Sequence, residues 1–600
     1  MGERLKNRSE IEEKYKWKLE DLLPSKEAAE ALADEIEAEI PSYGPFKGHL
    51  GQSAEELLKY LVFDEELDQK LSRLLCYSQQ KYDEDTSLGE AQALVSRART
   101  LALKAREASS FAVPEILSIP EERMNQFLEE KSLSGYRLVL LRLMAKREHM
   151  LSEAEEALLA GAEEMAETPS SVFSLFNNAD IKFPPVEDEN GLLTEVTHGK
   201  YGSLLENRNR SVREAAFRSY YSAYRQFANT VAAVFEGNLK QASFFARTRR
   251  YSSTRDFYLS ANEIPETVYD NLIEAVNKRL PSLHRYMALK KKRLSLDRLH
   301  MFDLYAPMTP DFDKKYTYEE AKRLIADGLK PLGEEYGNIL KDGFSGRWID
   351  VYENRGKRSG GYSIHTYGVH PYVLMSYDDS LNSVLTLAHE MGHSLHSWYS
   401  AKNQPYTYAG YRIFVAEVAS TCNEVLLLKN LMERTEDERE REFLIGQLLE
   451  RFRNTLFRQT LFAEFEWEVH KMCWQGIPLT KDVLCRLYHQ LNETYYGPDV
   501  EIDSDIDYEW ERIPHFYRPF YVYQYATGFA AATAIAGRIL AGDKAVLEGY
   551  FEFLKGGCSK TPVELLKLCG LDMEKPDVVN EAMDVFEALL NDLDSRSEII

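Results

Sequence analysis

Over most of the chain apolar residues recur at three- and four-residue intervals, the period of a helix with one buried face. Residues 53–81 (SAEELLKYLVFDEELDQKLSRLLCYSQQK) set the pattern. Ser53 stands as an N-cap, and Leu57, Leu58, Leu61 and Val62 fall at helical spacing behind it. Residues 88–112 and 152–168 repeat it, and 211–247 predict a long helix whose aromatic stripe packs into a core. Two zones break the period. Residues 180–200 hold a Pro pair, an Asn-Gly and short β-like runs, which divide an N-terminal helical lobe (1–195) from the remainder (196–600). Residues 341–380 alternate β-branched and aromatic residues between glycines, predicting two or three short strands. Helices resume at Leu381 and run nearly to the end, so the expected fold is mainly α with a small sheet just before Leu381.

Composition narrows the function. Apolar residues are 44% and charged residues 28% of 600, ordinary for a globular chain. A net charge of −24 argues against a nucleic-acid partner, since phosphate backbones attract Lys and Arg surfaces. No stretch approaches the roughly 20 apolar residues that cross a bilayer. The best candidate, Gly528 to Leu540, is too short and carries Arg538, so it reads as a buried helix. The N-terminus lacks the apolar core of a secretory signal. Six scattered cysteines without a C-x-x-C pair fit a reducing compartment, and the expectation is a cytoplasmic protein, a monomer, with no membrane partner.

Residues 384–398 read VLTLAHEMGHSLHSW and contain His389-Glu390-Met391-Gly392-His393, an H-E-x-x-H motif. Residues four apart share a helix face, so both imidazoles can reach one ion. Glu390 lies about 100° round from His389, where its carboxylate can reach a water at the metal without competing as a ligand. Val384, Leu385, Leu387 and Ala388 bury the helix on most sides. Buried histidines without a metal would each need hydrogen-bond partners of their own.

A catalytic zinc takes three protein ligands and leaves a fourth place open. The metzincin extension requires Gly at 396 and His at 399, and the chain has His396 and Tyr399. From Ser394 to Ala416 there is no Asp or Glu; the first carboxylate downstream is Glu417, in the apolar helical run FVAEVASTCNEVLLL, and it is the expected third ligand. Glu424 falls two turns further along the same face, suited to accept from the far nitrogen of a ligand imidazole or to pair with a lysine or arginine. His396 reads as a hydrogen-bonding neighbour, because a fourth protein ligand would close the site.

HEMGH followed by FVAEVAST, with YDDSLNSVLTLAHEMGHSLHS leading in, resembles oligoendopeptidase F and the wider thimet oligopeptidase-like zinc metallopeptidases. The resemblance covers residues 200–590 and implies a two-lobed, clam-like helical fold around a deep channel. It implies an endopeptidase for short oligopeptides, holding one Zn2+ on His389, His393 and Glu417, with Glu390 as general base and proton shuttle. It also implies a histidine and tyrosines acting at the zinc from a later segment, here IPHFYRPFYVYQYATGFAAA. His515 matches the histidine; Tyr521 and Tyr525 match the tyrosines across a one-residue gap, which leaves Tyr517 and Tyr523 open. From the residues alone that segment reads as an aromatic core. Arg358-Ser359-Gly360-Gly361-Tyr362 matches the stretch that holds the substrate backbone, and two glycines there would let a peptide chain approach an open strand edge. A zinc exopeptidase would need a cation to anchor a terminal carboxylate, which the sequence does not locate. A non-catalytic peptide-binding protein with structural zinc would have no need of Glu390.

Overall fold

The computed structural model describes residues 4–309, 312 and 314–596, with the side chain of Glu153 left aside. The chain is mainly helical, with three small sheets among the described residues. It forms two compact units of interleaved segments: 1–148, 314–430 and 538–569 in the first, 149–313, 431–537 and 570–600 in the second. The sequence break at 195 therefore does not coincide with a border between units. Residues on both sides of it, from 149 to 313, belong to the second.

Side-chain caps start many of the helices. Ser53 caps Ala54–Glu84 by accepting from the Glu56 N–H, and Leu57 on its inner face is fully buried. Val62 faces outward at 38% exposure, so the buried stripe is narrower than the run of apolar letters. Ser152 and Glu155 form a capping box at Glu153–Ala166. In the second unit, Arg210–Thr248 is one helix of 39 residues whose Phe217, Tyr220, Tyr221, Tyr224 and Phe235 are buried in the core. The break at 180–200 is a two-stranded antiparallel ribbon, Val186–Glu187 against Leu193–Thr194, turning through Gly191 at φ 76°. No helix among the described residues is long and apolar enough to cross a membrane.

The expected strands of 341–380 form one three-stranded sheet in the first unit. Tyr372–Leu374 lies in the centre, parallel to Ile349–Asp350 and antiparallel to Tyr362–Ile364. The helix Gly333–Ser345 occupies the start of that zone. The sheet packs on the helix Leu381–Asn403, which carries the H-E-x-x-H motif, and Ser363 Oγ meets Ser394 Oγ at 2.8 Å across that contact.

Asp350, 2% exposed, pins this sheet to the N-terminal segment. Arg8 Nη2 stands 2.6 Å from one carboxylate oxygen and Lys357 Nζ 2.7 Å from the other. Burial pushes the Asp350 carboxyl up, but Lys357 and Arg8 outweigh it and hold the group below its ordinary range. Removing the charge leaves Lys357, whose side chain is fully buried, without its counter-ion. Asp350→Asn should cost about 3–5 kcal/mol, seen as a lower first transition in thermal unfolding. A group with a depressed pKa stabilises above its unfolded value, about 3.9 for Asp. The difference between parent and variant should therefore be constant at neutral pH and shrink as pH falls below about 4. An unchanged first transition at pH 7 would refute the assignment.

Candidate metal centre and active site

The motif helix Leu381–Asn403 starts at Ser380, whose side chain accepts from the Ser383 N–H. Val384, Leu385, Leu387, Ala388 and Met391 are 0–2% exposed, which fixes the rotation of the helix and turns His389 and His393 to one side. The next long helix, Ile413–Arg434, brings Glu417 to the same place. Glu417 Oε2 lies 3.3 Å from His389 Nε2 and 3.5 Å from His393 Nε2. The three donor atoms all lie within 4.8 Å of one another, and the two imidazole planes are 84° apart. This is the only such cluster among the described residues.

Gly392 makes the convergence feasible. A Cβ there would lie 2.6 Å from Ser420 Cα and 2.7 Å from the Ala419 carbonyl oxygen, both backbone atoms of the Glu417 helix. Asn423 ties the two helices further by donating to the Ala388 carbonyl at 3.0 Å. Ser420 Oγ donates to Glu417 Oε2 at 2.9 Å and helps hold its rotamer.

Glu424, buried at 6% exposure, takes the other side of His389: its Oε1 stands 2.5 Å from Nδ1. That bond places the proton on Nδ1 and leaves Nε2 as the donor atom of the cluster. Burial alone would lower the His389 pKa, but Glu417 and Glu424 raise it to about 10. Burial likewise pushes Glu417 up, and hydrogen bonds from His389 and His393 carry it well below the carboxylate range. Two carboxylates around one imidazole thus create a potential that calls for a cation. A divalent ion meets that demand in place of the proton and leaves both imidazoles neutral, so the donor set fits a metal. Glu390 is 7% exposed, and burial raises its pKa against the pull of His389 and His393.

His396 departs from the expectation. Among the described residues it has no hydrogen-bond partner at either ring nitrogen, and it stacks on Tyr411 at 3.8 Å between centroids. Burial lowers its pKa to about 3, so it is a neutral packing group on the motif helix. Tyr411, in the short connection between the motif helix and the Glu417 helix, was not singled out by any sequence signal.

Gly360 and Gly361 are exposed, and Gly360 has φ 95°, a conformation that favours glycine. They lead into Tyr362–Ile364, which pairs through one side only among the described residues. The Tyr362 hydroxyl donates to Asp83 Oδ2 at 2.7 Å. That side chain is therefore turned inward, and only the strand's main chain is offered at the edge.

His515, Tyr521 and Tyr525 come together in the second unit. Tyr521 stacks on His515 with centroids 5.7 Å apart, and the Tyr525 hydroxyl is 3.3 Å from His515 Nε2. All three are partly exposed. Tyr517 stacks on Phe173 at 4.1 Å, and Tyr523 is 1% exposed against Tyr269. The structure thus separates the four tyrosines into a cluster pair and a core pair. Burial and the charges of Arg518 and Arg458 lower the His515 pKa, which keeps the ring neutral at pH 7.

A helix-borne pair of imidazoles beside a carboxylate from the next helix, with an acid between the histidines, is a donor set that fits a metallopeptidase-type centre. Residues 203–585 match the model of peptidase family M3, and residues 115–183 match that of oligopeptidase F. The chain belongs to peptidase family M3. It is 46% identical to oligopeptidase PepF of Bacillus subtilis over 98% of this chain and 88% of that one. The crystal structure of a Chlamydophila abortus protein superposes with a TM-score of 0.94 at 35% identity, covering 99% and 100% of the two chains. That of oligoendopeptidase-F from Enterococcus faecium gives 0.76 at 39% identity, covering 95% and 99%.

Gly392→Ala tests the close approach of the motif helix and the Glu417 helix. Overpacking against backbone should cost about 1–3 kcal/mol. It should also shrink the rise in Tm that a saturating divalent metal confers, because the separated helices bind it less well. A variant with the parent's metal-dependent Tm rise would show that the spacing has slack.

Proposed function

We propose that this chain is a zinc-dependent endopeptidase that hydrolyses internal bonds of short, unstructured oligopeptides in the cytoplasm. The observation that carries this reading is the meeting of His389, His393 and Glu417 donor atoms beside Glu390, in a chain of family M3. His389, His393 and Glu417 would hold one zinc ion, with Glu424 fixing the His389 ring. When bound, zinc supplies Lewis acidity, polarising the scissile carbonyl and making water acidic near neutral pH. Six cysteines, all free, support a reducing compartment.

The protein's own groups do the rest. Glu390 accepts the proton of the attacking water and later delivers it to the leaving amine. A neutral His515 and the hydroxyls of Tyr521 and Tyr525 are the donors to the developing oxyanion; one such donor is worth roughly 2.7–4 kcal/mol. Gly360, Gly361 and the main chain of Tyr362 bind the substrate backbone as an added strand. That mode demands an extended peptide. A folded protein must first melt a segment to present one, while a short peptide is already free to adopt it.

Glu390→Gln should retain zinc and lose nearly all turnover, by about 10²–10⁴-fold, since ligation is intact and proton transfer is gone. Glu417→Ala should instead lose the metal itself. Zinc content by elemental analysis, read beside kcat on an internally quenched peptide, separates the two. A zinc-replete Glu390→Gln enzyme with the parent's kcat would remove Glu390 from the mechanism.

Substrate size is checked by comparing casein with an internally quenched short peptide under identical conditions. The peptide should be cut efficiently and casein hardly at all. Equal rates per susceptible bond would refute the restriction to oligopeptides.

A further inference from the structure

Glu466 sits on the helix Arg458–Trp474 of the second unit and is 1% exposed. Its neighbours along the helix, Phe462, Phe465 and Val469, are buried apolar residues. Among the described residues no Lys or Arg forms an ion pair with it. One carboxyl oxygen, Oε1, accepts the backbone N–H of Phe520 at 2.8 Å, and Oε2 has no hydrogen-bond partner. Burial raises its pKa to about 8, so the group is a neutral acid at pH 7. A buried carboxyl costs several times a buried methylene and must serve something. Here it serves one main-chain N–H.

That N–H lies at a strained residue. Phe520 has φ 55°, a left-handed conformation that costs an L residue about 1–2 kcal/mol and persists only where the surroundings over-determine it. Its ring is clamped by His470 at 4.7 Å and Tyr269 at 5.8 Å between centroids. Its amide is held by Glu466. The next residue is Tyr521, and the helix that carries Tyr525, Tyr523–Leu540, begins two residues later. A change in φ at Phe520 would swing Tyr521 off the His515 ring it stacks upon.

We infer that Glu466 is a positioning residue for peptide hydrolysis: its bond to the Phe520 N–H holds the left-handed turn that sets Tyr521 against His515 and Tyr525. The inference rests on the role proposed above for those three side chains. It concerns geometry and not binding, so it predicts a loss in kcat with little change in KM.

The test compares Glu466→Met, which keeps the volume and lacks a strong acceptor, with Glu466→Gln, which keeps an acceptor oxygen. In the zinc-loaded enzyme Glu466→Met should lower kcat about 10–100-fold with KM within about twofold. Glu466→Gln should return kcat to within about threefold of the parent. A Met variant with the parent's kcat, or a Gln variant as impaired as Met, overturns the inference. Should Glu466→Met fail to fold, Phe520 replaced by its α-hydroxy acid removes the N–H alone. The same kcat loss is expected there, and an unchanged kcat again overturns the inference. Tyr521→Phe, Tyr525→Phe and His515→Ala measured alongside separate the two ideas. If all three keep the parent's kcat, the donor role fails and the inference with it. If they lose kcat while Glu466→Met does not, the positioning role alone fails.

Discussion

The motif helix and the Glu417 helix meet backbone to backbone at Gly392, where even one methyl would stand 2.6 Å from Ser420 Cα. The geometry of the centre follows from this contact. Two histidines four residues apart are fixed to one face by the helix itself, but the third donor comes from a separate helix. Its distance depends on how closely the two axes approach. A side chain at 392 would push Glu417 away from both imidazole nitrogens, and the 3.3 and 3.5 Å separations would open together. The asparagine bond from Asn423 to the Ala388 carbonyl then locks the pair in that register.

Charge is arranged with the same economy. Glu424 and Glu417 bracket His389 on its two nitrogens, so a partly buried ring that desolvation would keep neutral is driven toward the charged state. The excess negative potential suits the cluster to a cation. His396, two turns on, shows the contrast: the same residue type stacked on Tyr411 stays neutral.

Much of this was readable from local sequence. Helix period, the caps at Ser53 and Ser152, and the spacing of His389 and His393 are properties of a few neighbouring residues, which a sequence displays directly. Glu417 could be found because it is the first acid in a long stretch without one. What the sequence hid was non-local. The sheet's order, with Tyr372–Leu374 between strands that precede it, depends on pairing across loops. The interleaving of the two units depends on which segments pack together, and no composition shift marks the crossings. Of four tyrosines in one short run, two cluster with His515 and two fill the core, because a left-handed residue at Phe520 resets the phase of side-chain directions midway.

Glu466 was hidden for a related reason. It lies in FAEFEWEVH, where acids alternate at 464, 466 and 468, and helical spacing selects none of them. Only the fold shows that Glu466 alone turns inward, while Glu464 and Glu468 pair with Asn277 and Lys471. Asp350 and Glu466 then stand as two solutions to burying an acid. Asp350 stays ionised because Arg8 and Lys357 surround it, and it ties distant segments of its unit together. Glu466 has no such cations among the described residues and is held as the neutral acid, which makes one directional bond to one amide. An ion cluster tolerates small shifts, since Coulomb attraction falls slowly with distance. A lone hydrogen bond weakens steeply with angle and length, so it suits a place where a single backbone torsion must be kept. The placement of each acid matches what its kind of interaction can enforce.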